Sequence, residues 1–367
     1  GGGAEALHIG GAERIHETAH IVHRDLGAVL FVPAPLELDP RARQPERVEL
    51  VLKELQRRAL GEIVTPHRAP LVSLERIHSA RYLHFLRSAW SGWLALDPRN
   101  ADLDAQAASW PVRGLRSDIE PDSFSGCLGL YSMDATPLTA GTWNAAKTGA
   151  DCAINAAHAL RLGQRASFAL TRPPGHHAGA DFLGGGCFLN NAALAAQHLL
   201  DDGMKRVAIL DIDYHHGSGT QGIFYGRSDV LTLSLHADPR MDFPFYSGHA
   251  DETGAGEGSG YNMNLPLARA TSAAQWFTAL ETACLKLGMF APEALVVSLG
   301  VGARGGDPDA GANAGFALSG ADYLRIGERI AWLGVPTAFV FEGGQAQADI
   351  GIHTVNVLEG FETAATL

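Results

Sequence analysis

The sequence predicts an α/β fold: a single domain on a doubly wound, mostly parallel sheet of about eight strands, flanked by helices. Three observations predict it. Apolar runs of strand length recur along the chain, and several, such as Val207 to Leu210, are continuous rather than alternating, as in strands covered on both faces. Amphipathic or small-residue helical patterns separate most of them. The runs end in glycine or polar chemistry, where the loops of a parallel sheet place ligands. With 367 residues, 46% hydrophobic and 19% charged, the chain can bury a core of that size.

In chain order, residues 1–45 carry a Gly-rich start, four histidines (His8, His16, His20, His23) that share no helical face, and the apolar run AVLFVPAPL. These histidines read as scattered surface residues, because metal sites need convergence as well as residue type. Pro45 opens a scaffold helix, PERVELVLKELQRR, with Val48, Val51, Leu52 and Leu55 on one stripe. Residues 73–95 read as a second amphipathic helical region, in which His78 and His84 pack or face solvent. A long loop insertion at about 97–139, rich in Asp, Pro, Ser and Gly and bearing Trp110, Arg113 and Arg116, reads as a lid or interaction loop. A helix of small residues and a short strand, ASFAL (166–170), follow. Further strands are expected at 207–210, 230–236, 261–267, 294–301 and 337–344.

The chemistry concentrates in VAILDIDYHHGSGTQ. If the chain stays extended beyond Leu210, Asp211, Asp213 and His215 project to one side. Two carboxylates and an imidazole gathered there read as a structural Asp–His network or as half of a divalent-metal site. The loop RPPGHH, directly after the ASFAL strand, supplies adjacent His176 and His177 as acid/base candidates, since one imidazole can tune its neighbour.

Composition restricts the partners. A formal charge of −12 argues against wholesale nucleic-acid binding and favours a cationic small molecule. Cysteines at 127, 152, 187 and 284 lack paired metal-type spacing and are too sparse for a disulfide framework, so a reducing cytoplasm is expected and none receives a role. No apolar run approaches ~18 residues and no signal-peptide pattern opens the chain, so membrane insertion and export are not expected.

Taken in order, RPPGHH, GGGCFLNNAALAAQ, ILDIDYHHGSGTQGIFY, LSLH, GSGYNMNLPL, LVVSLGV, GGDP and FEGG resemble the arginase–deacetylase superfamily, and within it the bacterial acetylpolyamine amidohydrolases, relatives of histone deacetylases. The resemblance runs from about Pro45 to Phe361. It implies Asp213 and His215 as zinc ligands, and His176 and His177 as tandem general base and electrostatic partner. It also implies that Asp211 orients a neighbouring ring or holds a structural potassium ion, with Asp213, His215, Ser234 and Leu235 completing that shell, and that a second potassium lies near Phe224, Arg227, Val230 and Tyr261. Asp134, Gly185, Gly186 and Arg304 fall at the substrate pocket, and the 97–139 insertion at a homodimer interface that narrows the tunnel.

Three positions depart from that pattern. Gly302 stands where the resemblance implies the third zinc ligand, an Asp. Gln345 stands where it implies the Tyr whose hydroxyl donates to the oxyanion. Gly186 replaces an aromatic wall of the acyl tunnel. Arg304 could set a guanidinium beside Asp213 in place of a metal, and Asp307 could restore a ligand by swinging in through Gly305–Gly306, although, followed by Pro, it reads rather as a structural loop residue. The expectation is a deacetylase-like protein binding acylated cationic amines with zinc-dependent hydrolysis weakened or lost. The alternative is an active metal-dependent deacetylase with a remodelled site.

Overall fold

The computed structural model describes residues 28–32, 46–112, 116–301, 315–344 and 349–366. The predicted histidines at 8, 16, 20 and 23, Pro45, Arg113, Gly302, Arg304, Asp307 and Gln345 lie outside them.

Eight strands form one sheet: β1 (Ala28–Phe31), β2 (Ile63–Val64), β3 (Ala166–Ala169), β4 (Val207–Asp211), β5 (Val230–Ala237), β6 (Asn262–Leu267), β7 (Ala294–Leu299) and β8 (Thr337–Phe341). Their order is β2-β1-β3-β8-β7-β4-β5-β6, and every pairing is parallel. Ten helices accompany them among the described residues: α1 (Glu46–Arg58), α2 (Leu71–Leu74), α3 (Ala80–Leu96), α4 (Phe124–Leu130), α5 (Thr142–Arg161), α6 (Asn191–Asp201), α7 (Ser218–Phe224), α8 (Ala273–Phe290), α9 (Gly320–Ala331) and α10 (Ile350–Ala365).

The continuous apolar runs have the predicted cause. In β4, Val207 and Ile209 join a core layer with residues of α3, α5 and α6, while Ala208 and Leu210 join the opposite layer with residues of α1, α8, α9 and α10. Both faces are covered, so both residue parities must be apolar. The chain starts at β1, adds β2 outside it and β3 inside it, crosses to β4, runs outward through β5 to β6, and returns to fill the centre with β7 and β8. The carboxyl ends of β3, β8, β7 and β4 therefore lie side by side at the centre of the sheet, the usual ligand position in such folds.

Two sequence expectations need correction. The region 73–95 is not one helix: the chain turns between α2 and α3, and Ser79 caps α3 by accepting from the Tyr82 N–H. The 97–139 insertion is not a plain loop either. It holds a 3-10 turn at Pro98–Asp102, a bridge between Ala105 and Leu138, and helix α4. The reason is local: Ser123 caps α4, and Phe124 then stacks on Trp93 and Phe85 of α3, with ring centroids 5.8 and 6.2 Å away.

His78 joins this scaffold to the loop that follows β3. It is 1% exposed, pairs through Nδ1 with the Gly179 carbonyl at 2.9 Å and accepts at Nε2 from the Asn190 N–H at 3.0 Å. These partners define a neutral ring with its proton on Nδ1. Burial pulls its pKa from 6.5 to about 4. The unfolded chain therefore binds more protons between those values, so the stability contributed is present above pH 6.5 and is lost as pH falls towards 4. His78→Gln should flatten the fall of urea-unfolding stability over this window, and slopes identical to the parent's would remove His78 from the account. His84, by contrast, is exposed.

Candidate active site

The carboxyl end of β4 builds the first part of the site by a different route from the one expected. The strand ends at Asp211 and the chain bends. Asp211 Oδ1 accepts from the Asp213 N–H at 3.0 Å, and Asp213 Oδ1 accepts from the His215 N–H at 2.9 Å. Each carboxylate thus fixes the backbone two residues on, the turn that Asp favours. Ile212 and Tyr214 point into the apolar layer below, which leaves the three polar side chains on the opposite side. His215 Nδ1 lies 3.8 Å from Asp213 Oδ1, too far for a hydrogen bond and suited to two atoms sharing an ion.

Asp213 has room only because two neighbours lack side chains. A Cβ at Gly300, after β7, would sit 1.9 Å from Asp213 Oδ2, and one at Gly343, after β8, 2.1 Å away. The Gly343 N–H donates to that same oxygen at 2.7 Å. Gly343→Ala should displace the carboxylate, and if Asp213 is a zinc ligand the affinity of that site should fall about 10–100-fold while the far-UV circular dichroism stays unchanged. Unchanged zinc affinity would show that Asp213 holds no metal.

The loop after β3 brings in the tandem histidines, with ring centroids 4.0 Å apart. His176 Nδ1 is 2.9 Å from Asp211 Oδ2, and both side chains are 3% exposed. Burial opposes charge on His176, yet Asp211, Asp213 and Glu342 outweigh it and push its pKa up to about 10. The pair therefore holds its proton as a buried unit. His177 goes the other way: burial first, then the neighbouring His176, His215 and His216, bring it well below 6.5. Its Nδ1 is 3.3 Å from Ser218 Oγ. The surroundings thus favour the charged form of His176 and the neutral form of His177, the opposite shifts that an acid/base pair needs.

Four contributors were not assigned from sequence. Glu342, at the end of β8 inside the FEGG motif, is fully buried and accepts from the N–H groups of Gly175 and His176 at 2.6 and 3.1 Å. Burial raises it to about 7. It gives the same signal as Asp211, a carboxylate closing an apolar strand. Arg47, in the first turn of α1, donates to the Glu342 carbonyl and lies over the Phe341 ring at 5.1 Å. Phe243 packs edge-on against His177 and His215, at 4.9 and 6.0 Å. Ser218 contacts His177, as above. Nothing local distinguishes Arg47 or Phe243, since only packing brings them in. Cys187 lies with His176 and Glu342 in a buried group whose donor atoms are within 4.8 Å of one another. Burial drives the Cys187 thiol well above 9, and His176 and Glu342 are already paired, so this trio is a poor metal centre.

The Histone deacetylase domain profile matches residues 41–360. The chain belongs to the histone deacetylase family. It is 49% identical over 331 residues to acetylpolyamine amidohydrolase 1 of Pseudomonas aeruginosa, covering 90% of this chain and 94% of that one. It is 43% identical to the acetylpolyamine amidohydrolase of Mycoplana ramosa, over 88% and 93% of the two chains. A crystal structure of acetylpolyamine aminohydrolase from Burkholderia pseudomallei superposes with a TM-score of 0.80 at 36% identity, over 87% of this chain and 91% of that chain.

Within this histone deacetylase-family chain the remaining predicted positions fall into three places. Asp134 accepts from the N–H groups of Gly185 and Thr136, at 2.7 and 2.8 Å, and so ties the 134–136 turn to the glycine loop. Gly185 has φ +59°, and a Cβ there would meet His177 Cδ2 at 2.3 Å; Gly186 has φ +77° and faces open space. Asp211 and Ser234 stand side by side in the register of β4 and β5, with Leu235 buried next along β5. The Phe224 carbonyl accepts from the Arg227 N–H at 2.9 Å, and the Tyr261 carbonyl accepts from Thr232, two residues into β5 from Val230, at 3.0 Å. Among the described residues, Asp213 and His215 offer zinc an oxygen and a nitrogen donor and fit one side of its shell.

Proposed function

We propose that this chain binds small cationic acylated amines in a deacetylase-type pocket and hydrolyses them far more slowly than its acetylpolyamine amidohydrolase relatives. The observation that carries this reading is a contrast. The buried acid/base apparatus, His176 with Asp211 beside neutral His177, stands next to Asp213 and His215. Yet position 302 is Gly, which brings no side-chain ligand, and position 345 is Gln where a Tyr hydroxyl is expected.

Asp213 and His215 would hold a zinc ion, which when bound supplies Lewis acidity to the acyl carbonyl. Neutral His177 can take a proton from the attacking water, and charged His176 stabilises negative charge developing beside it. Phe243 supplies an apolar wall for an acyl chain. The net charge of −12 favours the amine end of such a substrate. Loss of one oxyanion donor alone slows related chemistry about 10²–10³-fold. Metal analysis of the purified protein, with binding and turnover of acetylputrescine and acetyllysine, tests the reading. Acetylputrescine binding with turnover at least about 10²-fold below a relative is the expected result, and stoichiometric zinc with matching turnover would overturn it.

One observation favours the second reading, a working amidohydrolase with a remodelled shell. A buried charge pair such as His176–Asp211 is weak support for stability and is more readily explained by chemistry.

Two further parts of the reading are potassium and self-association. The side-by-side Asp211 and Ser234 support an inner potassium site, which a higher thermal midpoint in potassium than in sodium would reveal and equal midpoints would exclude. The insertion exposes Leu103, Trp110, Val112 and Ile119, each 44% or more, which supports a homodimer through this segment. Light scattering of Trp110→Ser and Val112→Ser should show a shift towards monomer; a monomeric parent removes the proposal.

A further inference from the structure

A second group of donors lies at the other edge of the sheet. Helix α5 leads into β3 and α6 leads into β4, so the carboxyl ends of both helices lie at the amino edge of the sheet, away from the catalytic loops. His158 is in the last turn of α5, His198 is in the last turn of α6, and Asp202 follows α6 directly. His198 and Asp202 are four residues apart and share one helix face. The two imidazole rings come together, their centroids 5.6 Å apart, because α5 and α6 pack side by side.

The distances identify what the group suits. Asp202 Oδ2 is 3.6 Å from His158 Nδ1 and 3.5 Å from His198 Nε2, and the three donor atoms lie within 4.8 Å of one another. Hydrogen bonds between such atoms run about 2.7–3.2 Å, so neither contact is a good one. Two ligands of a tetrahedral zinc ion, each bonded at about 2.0–2.2 Å, stand roughly 3.4 Å apart. His198 Nε2 is itself shielded from solvent and has no hydrogen-bond partner. Two helix carboxyl ends, each carrying partial negative charge, add attraction for a cation.

We propose that His158, His198 and Asp202 form a peripheral binding site for a borderline divalent cation, zinc, nickel or copper, distinct from the Asp213–His215 centre. Two imidazoles and one carboxylate are the donors these ions prefer, whereas magnesium and calcium seek oxygen alone. His158 and Asp202 side chains are 51% and 34% exposed, so the ion is reachable from solvent and retains open positions for water. A bound ion would clamp the ends of α5 and α6 together and with them the turns entering β3 and β4.

Equilibrium dialysis of chelator-stripped full-length protein against zinc chloride, with metal counted by atomic absorption, tests the site. The parent should bind one equivalent more than His158→Ala/His198→Ala. That equivalent should persist in Asp213→Asn/His215→Gln and vanish when the two pairs of substitutions are combined. Asp202→Asn alone should weaken the peripheral equivalent at least about 10-fold. Because His158 is half exposed, His158→Ala alone serves as the test if the double variant does not fold. Zinc stoichiometry and affinity unaffected by these three residues, in either background, would overturn the proposal.

Discussion

Gly302→Asp combined with Gln345→Tyr is expected to raise acetylputrescine hydrolysis by about 10³–10⁵-fold over the parent. The estimate joins an oxyanion donor, worth about 10²–10³, to a metal-ligand change, worth at least about 10–100. Each substitution alone should recover little, because a donor without a firmly held metal, or a metal without that donor, completes only part of a catalytic unit, and such units are strongly non-additive. The rate of the double variant should therefore exceed the product of the two single gains. Arg304, two residues beyond Gly302, is a guanidinium that can compete for Asp213. If the double variant binds no zinc at Asp213 and His215, adding Arg304→Ala should restore binding there. A parent enzyme already as fast as the double variant would mean that other residues perform both roles, and the slow-enzyme reading would fail.

Asp211→Asn should be the most destabilising single change at the site, by about 3–5 kcal/mol. The substitution removes the main counter-charge of His176 in a place where both side chains are 3% exposed. The asymmetry of buried pairs gives the prediction its second half. Removing one partner leaves the other charge desolvated, while removing both leaves two neutral groups that can still hydrogen-bond. Asp211→Asn/His176→Gln should therefore be less destabilised than the sum of the two single variants, read from urea unfolding of all four proteins. Strict additivity would show that the two residues do not act as a charge pair.

Much of the site was legible because parallel sheets place chemistry in loops directly after buried strands, and those loops are short stretches of sequence. RPPGHH after β3 and DIDYHH at the end of β4 could each be read locally, and the structure brings them together. The same rule applied to FEGG would have found Glu342. It could not have found Arg47, whose segment reads as scaffold helix, or Phe243, which nothing local sets apart. The expectation for Asp211, Asp213 and His215 reached the right outcome by the wrong geometry. Strand alternation was assumed, but successive carboxylate-to-backbone turns do the work. The insertion was misread as loop because its helix is only seven residues long and depends on stacking against α3.

By itself the sequence determined the fold class, six of the eight strands, and the loops that carry the tandem histidines and the Asp213–His215 pair, since burial on both sheet faces and loop chemistry are written in consecutive residues. Only the tertiary structure decided which carboxylate meets which imidazole, that the surroundings of His176 and His177 shift them in opposite directions, and that Gly300 and Gly343 clear the space for Asp213. It also decided that His158 on one helix faces His198 and Asp202 on another. The physical reason is common to all of these: desolvation and close approach are set by segments distant in sequence, and no local pattern encodes the distance between them.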